Sequence, residues 1–516
     1  MMAFRNRLGW RCILLLWIGC SLAPIASATE LRFGVSDLPR SMGNPFTESG
    51  TPSSYTWAAL FDALTRLDPE GRLVPALATQ WELVDARTWR FSLRKGVEFS
   101  NGEPFNAAAV GATLEWLTSP EGRRTLIGNE IRGVVGIRPR SEYIIDVITA
   151  EPDAILPQRL SAVMIVAPEA WARLGPEGFA RMPAGTGSYR VVQWDTARAR
   201  VRLEANPGSW RPPTIPLIDL VALPDNAVRV QALRSGEIDL TMVDIEDVDF
   251  LISRGFMVHH RPSMQVMALA FNTERDPPTP VRDPRVRQAL NLAVNRQAIA
   301  DILLQGLVEP AGQPASRVTP GYNPNVPAFP YDPERARALL AEAGYPDGLE
   351  LRIEVVTGGI PGARQIFQVV VQDLRRIGVH ATLQLRPFSA WLRDYLGGTA
   401  RGDLFSLPWN AAPYNDAQRP IEYYSCALRN AFFCEPAVMP KIEAIGRELD
   451  AEKRMGLLKD LASTLHELAP SLFLVEQIDL YATSDVVAHF EIANRVPVYE
   501  TLQLRMPASE DRSARR

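Results

Sequence analysis

The sequence predicts an α/β protein of several structural units, on three observations. Asp283-Pro284 and Asp332-Pro333 are helix-start signals, each an N-cap followed by proline, and each opens a run with apolar residues at helical spacing. Thr88–Arg94 alternates apolar and polar residues with the period of two that marks a half-buried strand. Between 349 and 385 the two patterns alternate as strand, helix and strand, which is a βαβ unit. With 516 residues, 46% of them hydrophobic, the chain can bury a large core. At ~100–200 residues per domain, two to four units are expected.

Taken in order, residues 1–28 read as a signal peptide. Arg5, Arg7 and Arg11 precede or flank the apolar run Cys12–Cys20, and Ala26-Ser27-Ala28 supplies a small-x-small cleavage site ahead of Thr29. A rival reading lipidates Cys20, which follows Gly19, but Trp17 is bulky for such a signal and a further apolar stretch follows. No later stretch is long and apolar enough for a transmembrane helix, so the rest is expected to be exported to the periplasm. Trp89, Phe91 and Leu93 share one face of the strand at 88–94, and Tyr189–Gln193 with Arg200–Glu204 form a hairpin. Val286, Leu290, Ala293, Val294 and Ile302 predict one helix from about 284 to 304. The helix opened by Asp332-Pro333 turns Leu339 and Leu340 inward and closes at Gly344. Leu349–Val356 is a strand, 363–377 a helix closed by Gly378, and Val379–Leu385 a second strand. The proline-rich segments 276–284 and 310–330 read as exposed loops, and Ala508–Arg516 as a frayed tail.

Composition excludes several functions. The net charge of −4 becomes more negative once the three leader arginines are lost, which argues against a nucleic-acid partner. The four lysines, Lys95, Lys441, Lys453 and Lys459, are dispersed and form no polybasic grip on a membrane. After cleavage only Cys426 and Cys434 remain, an even pair in an oxidising compartment, which predicts one short-loop disulfide. Phosphate-binding and dinucleotide-binding glycine loops, a nucleophile elbow and a zinc-protease helix are all missing from the sequence. Ser92-Leu93-Arg94-Lys95 matches a Ser-x-x-Lys string but lies on a strand, where that chemistry needs a helix start. None of His259, His260, His380, His466 and His489 pairs at ligand spacing on one face, and Asp244, Glu246, Asp247 and Asp249 read as a solvated surface rather than a calcium site. No catalytic residue, metal or cofactor is predicted.

A longer set of strings carries a resemblance. Gly71-Arg72-Leu73-Val74-Pro75-Ala76-Leu77-Ala78, Trp81, and Trp89 through Phe105 are followed by Gly185-Thr186-Gly187-Ser188-Tyr189, Ala232 through Leu240, Ala270-Phe271-Asn272-Thr273, Val286 through Asn291, and Tyr331-Asp332-Pro333 through Tyr345. Together they resemble the extracytoplasmic solute-binding proteins of family 5, which serve peptide, nickel and opine ABC importers. The resemblance implies a clam-shell of two α/β lobes with mixed sheets and a two-segment hinge, a discontinuous first lobe at 29–268 plus 486–516, and a second at 269–485. It implies a peptide or peptide-like solute held between the lobes and delivered to membrane permease subunits by a monomer, with no catalysis.

Leu407 through Asp416 resembles the ligand-contacting loop of that family, so Trp409, Asn410 and Tyr414 are the expected ligand contacts, with Met267 as an adaptable neighbour. The loop also departs from the family pattern. Dipeptide binders of the family carry an aspartate three positions after the tryptophan, where this chain has Ala412, and the histidine of the nickel branch has no counterpart near 415–418. An opine, a sugar conjugate, a glutathione-like solute or a metal chelate is the alternative cargo, and a secreted hydrolase the alternative class.

Overall fold

A computed structural model describes residues 30–357, 363–412 and 414–505. The expected signal peptide, Cys20 and the frayed tail therefore lie outside the described residues. Among those described, ten strands form one mixed sheet. From one edge it runs Val379–Pro387, Leu349–Thr357, Leu404–Asn410, Met257–Phe271, Ser471–Thr483, Leu240–Met242, Glu30–Val35, Leu217–Ala222, Arg200–Ala205 and Tyr189–Asp195.

Two members of the sheet are long enough to serve both lobes. Met257–Phe271 has 15 residues and Ser471–Thr483 has 13. They pair antiparallel in two blocks, Met257–Pro262 with Ile478–Thr483 and Val266–Ala270 with Ser471–Glu476, with register shifts between Pro262 and Val266 and between Met267 and Ala268. The first block lies beside Leu240–Met242 and the second beside Leu404–Asn410. An irregularity of this kind leaves residues unpaired and bends the ribbon.

The buried residues form separate cores, and the one built around the later helices also takes in Val230, Ile238 and Leu251. In the first lobe, the antiparallel sheet Ala78–Asp85, Thr88–Leu93, Ile144–Thr149 and Val134–Ser141 covers the helix Ala107–Thr118, whose N-cap Asn106 accepts from the Ala108 N–H at 2.9 Å. Gly185 and Gly187 are required by close approach: a Cβ would stand 2.1 Å from the Leu60 carbonyl oxygen at the first and 2.4 Å from that of Ala59 at the second. In the second lobe, alternate residues of one strand feed opposite faces. Met267, Leu269 and Phe271 join the core under the helices Pro284–Ala293, Pro333–Glu342 and Ala363–Arg376, while Val266, Ala268 and Ala270 join an aromatic core around Trp409.

 The βαβ unit at 349–387, with Leu349 opposite Val379 in a parallel pair, and the hairpin of Tyr189–Asp195 with Arg200–Ala205 match the sequence reading.

Two expectations are corrected. The helix predicted over 284–304 stops at Ala293, because Val294 is extended (φ −99°, ψ 124°) and Asn295 starts a new turn. The Asn295 N–H donates to Asp373 at 3.0 Å and its side chain accepts from the Ala298 N–H, while Arg296 donates to the freed Asn291 and Val294 carbonyls. A π turn over Ile299–Leu303 then leaves Ile302 exposed instead of buried. The segment 310–330 is not an exposed loop over its first half, since Ala311–Ser316 are buried. Side-chain amides satisfy its backbone there: Gln313 exchanges two hydrogen bonds with the Asn323 main chain, and Asn323 donates to the Lys459 carbonyl at 2.8 Å.

Candidate ligand site between the lobes

In open α/β sheets ligands gather beyond the carboxyl ends of the parallel strands. Leu349–Thr357 and Leu404–Asn410 run parallel, with Ile353 opposite Leu404, and the second opens into a loop that reaches the first lobe. That loop is held at both ends. The Asn410 side chain accepts from the Ala412 N–H at 2.8 Å, and Asp416 forms a bidentate pair with Arg454 at 2.8 and 2.7 Å, both side chains being buried. Asn415 takes a left-handed conformation (φ 47°) and donates to the Gly71 carbonyl of the first lobe at 3.0 Å. Gly71 is itself left-handed, and a Cβ on it would stand 2.7 Å from the Asn415 amide nitrogen. Leu67, Met264 and Ala411 close a small apolar contact beside this point.

Five charged groups meet around Tyr414. Glu130 ends the short helix Leu126–Glu130, while Asp153 precedes and Arg159 ends the turn Leu156–Arg159 of the first lobe. Arg419 and Glu422 lie on the helix Gln418–Glu422 of the second. The Tyr414 hydroxyl donates to Glu130 at 3.2 Å and accepts from Arg159 at 3.1 Å. Arg159 also donates to Asp153 at 3.1 Å and to Glu422 at 3.2 Å, and Arg419 donates to Glu130 at 3.2 Å and to the Asn410 carbonyl at 2.7 Å. The two guanidiniums lie 5.3 and 5.8 Å from the centre of the Tyr414 ring, a distance at which the ring's quadrupole attracts a cation.

Burial sets the protonation states. It pushes the Tyr414 hydroxyl well above its ordinary range, against the pull of Arg159 and Arg419. Burial opposes the charge of both arginines, but the carboxylates of Asp153, Glu422 and Glu130 around Arg159, and of Glu130 beside Arg419, favour it, so both are raised and stay charged. The cluster thus presents three carboxyl side chains, two fixed cations and a neutral phenol across the interface between the lobes. It can exchange ion pairs with a solute that carries charges of both signs.

The four residues singled out in the sequence are not all brought together. Tyr414 stands at the centre of the cluster and Asn410 at its edge. Trp409 is fully buried one layer beneath, stacked on Tyr424 at 5.8 Å with Phe432 and Phe473 at its edges. Met267 faces the other side of the strand, in a pocket of about 30 Å³ with Ile245, Leu304 and Ile366, where the Gln477 amide nitrogen is buried without a partner. Cys426 and Cys434 form the expected disulfide, Cα atoms 4.7 Å apart. Glu130, Asp153, Arg159, Arg419 and Glu422 were invisible to motif reading, because no motif contains them and, apart from Asp153 with Arg159, the partners lie 255 to 289 positions apart. Among the described residues no group of three metal-ligating side chains occurs, and no helix is long and apolar enough to cross a membrane.

Known proteins resemble this chain over most of its length. The glutathione-binding protein GsiB of Pectobacterium atrosepticum is 24% identical over 495 residues, covering 91% of this chain and 93% of that protein. Di/tripeptide-binding protein 3 of Pseudomonas aeruginosa is 26% identical over 485 residues, 86% of this chain and 89% of that one. The fold is shared with the dipeptide-binding protein of a Pseudoalteromonas species in complex with Met-Leu, at a TM-score of 0.81 and 21% identity, covering 92% of this chain and 100% of that one. Residues 72–430 match the middle region of the bacterial extracellular solute-binding proteins of family 5, and with that match over most of its length the chain belongs to this family.

Proposed function

We propose that the protein is the periplasmic binding component of an ABC importer and that its solute is a peptide or peptide-like molecule with both an ammonium and a carboxylate. The observation that carries this reading is the ring of opposite charges around Tyr414, in which Glu130 and Arg159 come from the first lobe and Arg419 and Glu422 from the second. A zwitterion can replace each of these pairs with one of its own, so the charges remain compensated when it is enclosed. Glutathione and di- and tripeptides, which the two relatives are named for binding, have this chemistry. Ala412 supplies no carboxylate; Glu130, which accepts from the Tyr414 hydroxyl, is an acid that faces the loop.

Tyr414 and Asn410 are the residues of the loop assigned to solute contact, with Trp409 as the buried support behind them and Met267 at the hinge. The lobes pivot where the two long strands lose register, at Pro262–Val266 and Glu476–Ile478. Closure there hands a loaded monomer to the permease. Catalysis has no part in this reading, and the leader ending at Ala28 directs export. Native mass spectrometry of protein freshly released from the periplasm, followed by extraction, tests it. One zwitterionic solute per chain, recovered chemically intact, is expected, whereas a neutral apolar solute or a cleaved product sinks the reading.

A further inference from the structure

We propose that the free edge of the large sheet at Tyr189–Asp195 is a docking site for an extended, acidic segment of a partner protein, which adds as a further strand. This strand of seven residues ends the sheet, pairing on one side with Arg200–Ala205 and on the other with no strand among those described. Free edges of this length are templates for strand addition, and proteins ordinarily blunt or cover them. Here a shift of register between Val191 and Gln193 leaves Val192 exposed, and the edge stands open beside a groove.

The groove, of about 700 Å³, runs between the strand and the segment Pro168–Arg181. Leu174, Met182 and Trp194 give it an apolar lining. Arg173 and Arg181 line it as exposed cations with no acidic partner among the described residues, whereas Arg190 is paired with Glu204 at 2.7 Å. Glu177 lies between the two free arginines in sequence but does not line the groove.

Charge decides the occupant. Main-chain pairing along an edge gives affinity to any extended segment, and the side-chain environment selects among them. Two unpaired arginines favour acidic side chains, and they disfavour a second copy of this chain, which would bring the same cations against each other. The edge lies at the end of the sheet opposite the second lobe, so docking there leaves the solute cleft free.

The test is calorimetric titration of the full chain with three acetylated and amidated hexapeptides. One alternates valine and glutamate, one alternates valine and lysine, and one is the glutamate peptide N-methylated at alternate residues along the pairing edge. The glutamate peptide is expected to bind, with the other two at least tenfold weaker. The double variant Arg173→Glu/Arg181→Glu, checked for native circular dichroism, should weaken it at least tenfold, and Tyr414→Phe should leave it unchanged. The proposal is overturned if the glutamate peptide does not bind, if the lysine or N-methylated peptide binds as well, if charge reversal has no effect, or if the peptide competes with the solute of the cleft.

Discussion

Trp409 shows what a single residue's neighbours decide. Its ring has no exposed surface and lies against Tyr424, Phe432 and Phe473. Truncating it opens a cavity in an aromatic core, so Trp409→Ala should lose about 3–5 kcal/mol of stability, read as a lower urea midpoint with an unchanged slope. Trp409→Phe keeps most of the volume and isolates any effect on the solute; calorimetry should show only a small change in affinity, since Tyr414 is the ring that faces the charges. Tryptophan in a loop of family-like sequence was legible as important. Its inward direction was not, because a strand residue's facing depends on the register, here Trp409 opposite Val266, which no local pattern reveals.

Short elements carry the next level of the design. The disulfide loop from Cys426 to Cys434 contains Phe432 and Phe433, which pack on Tyr424, so the bridge steadies the aromatic layer under the ligand loop. The double variant Cys426→Ser/Cys434→Ser should lose about 2–3 kcal/mol by the loop-closure argument, measured by denaturant unfolding. Alkylation of the native protein without reductant should find no free thiol. In the small sheet, Arg90 at 2.8 Å and Arg140 at 2.6 Å hold the buried Asp146 carboxyl below the usual carboxylate range. A carboxyl depressed on folding stabilises the protein above its unfolded value, about 3.9, and loses that contribution as pH falls through its lower folded value. Thermal unfolding followed from pH 6 to pH 2 should therefore show a loss in the native protein that is smaller in Asp146→Asn. Cap signals located the starts of the helices at 284 and 333 correctly. The stop at Ala293 was missed because it depends on Asp373 and Phe473, which supply distant partners for Asn295 and Arg296.

At the scale of the molecule, alternating patterns made the α/β class legible, and the strings from Gly71 to Tyr345 pointed to the two-lobed family. The site was only half legible. Sequence neighbours such as Asn410 and Tyr414 can be read together, whereas the pairing of Glu130 and Arg159 with residues beyond 410 exists only once the fold brings those distant segments together. The central claim is that solute and lobes are joined through this cluster, and Tyr414 is the one side chain in it that can lose its polar atom with little change of shape. Titrating the extracted solute into Tyr414→Phe tests that claim most directly. Removing a hydroxyl that bonds two charged groups should cost about 1.5–3 kcal/mol, a loss of affinity of roughly tenfold or more with the unfolding temperature of each lobe little changed, and an affinity equal to that of the native protein would contradict the account.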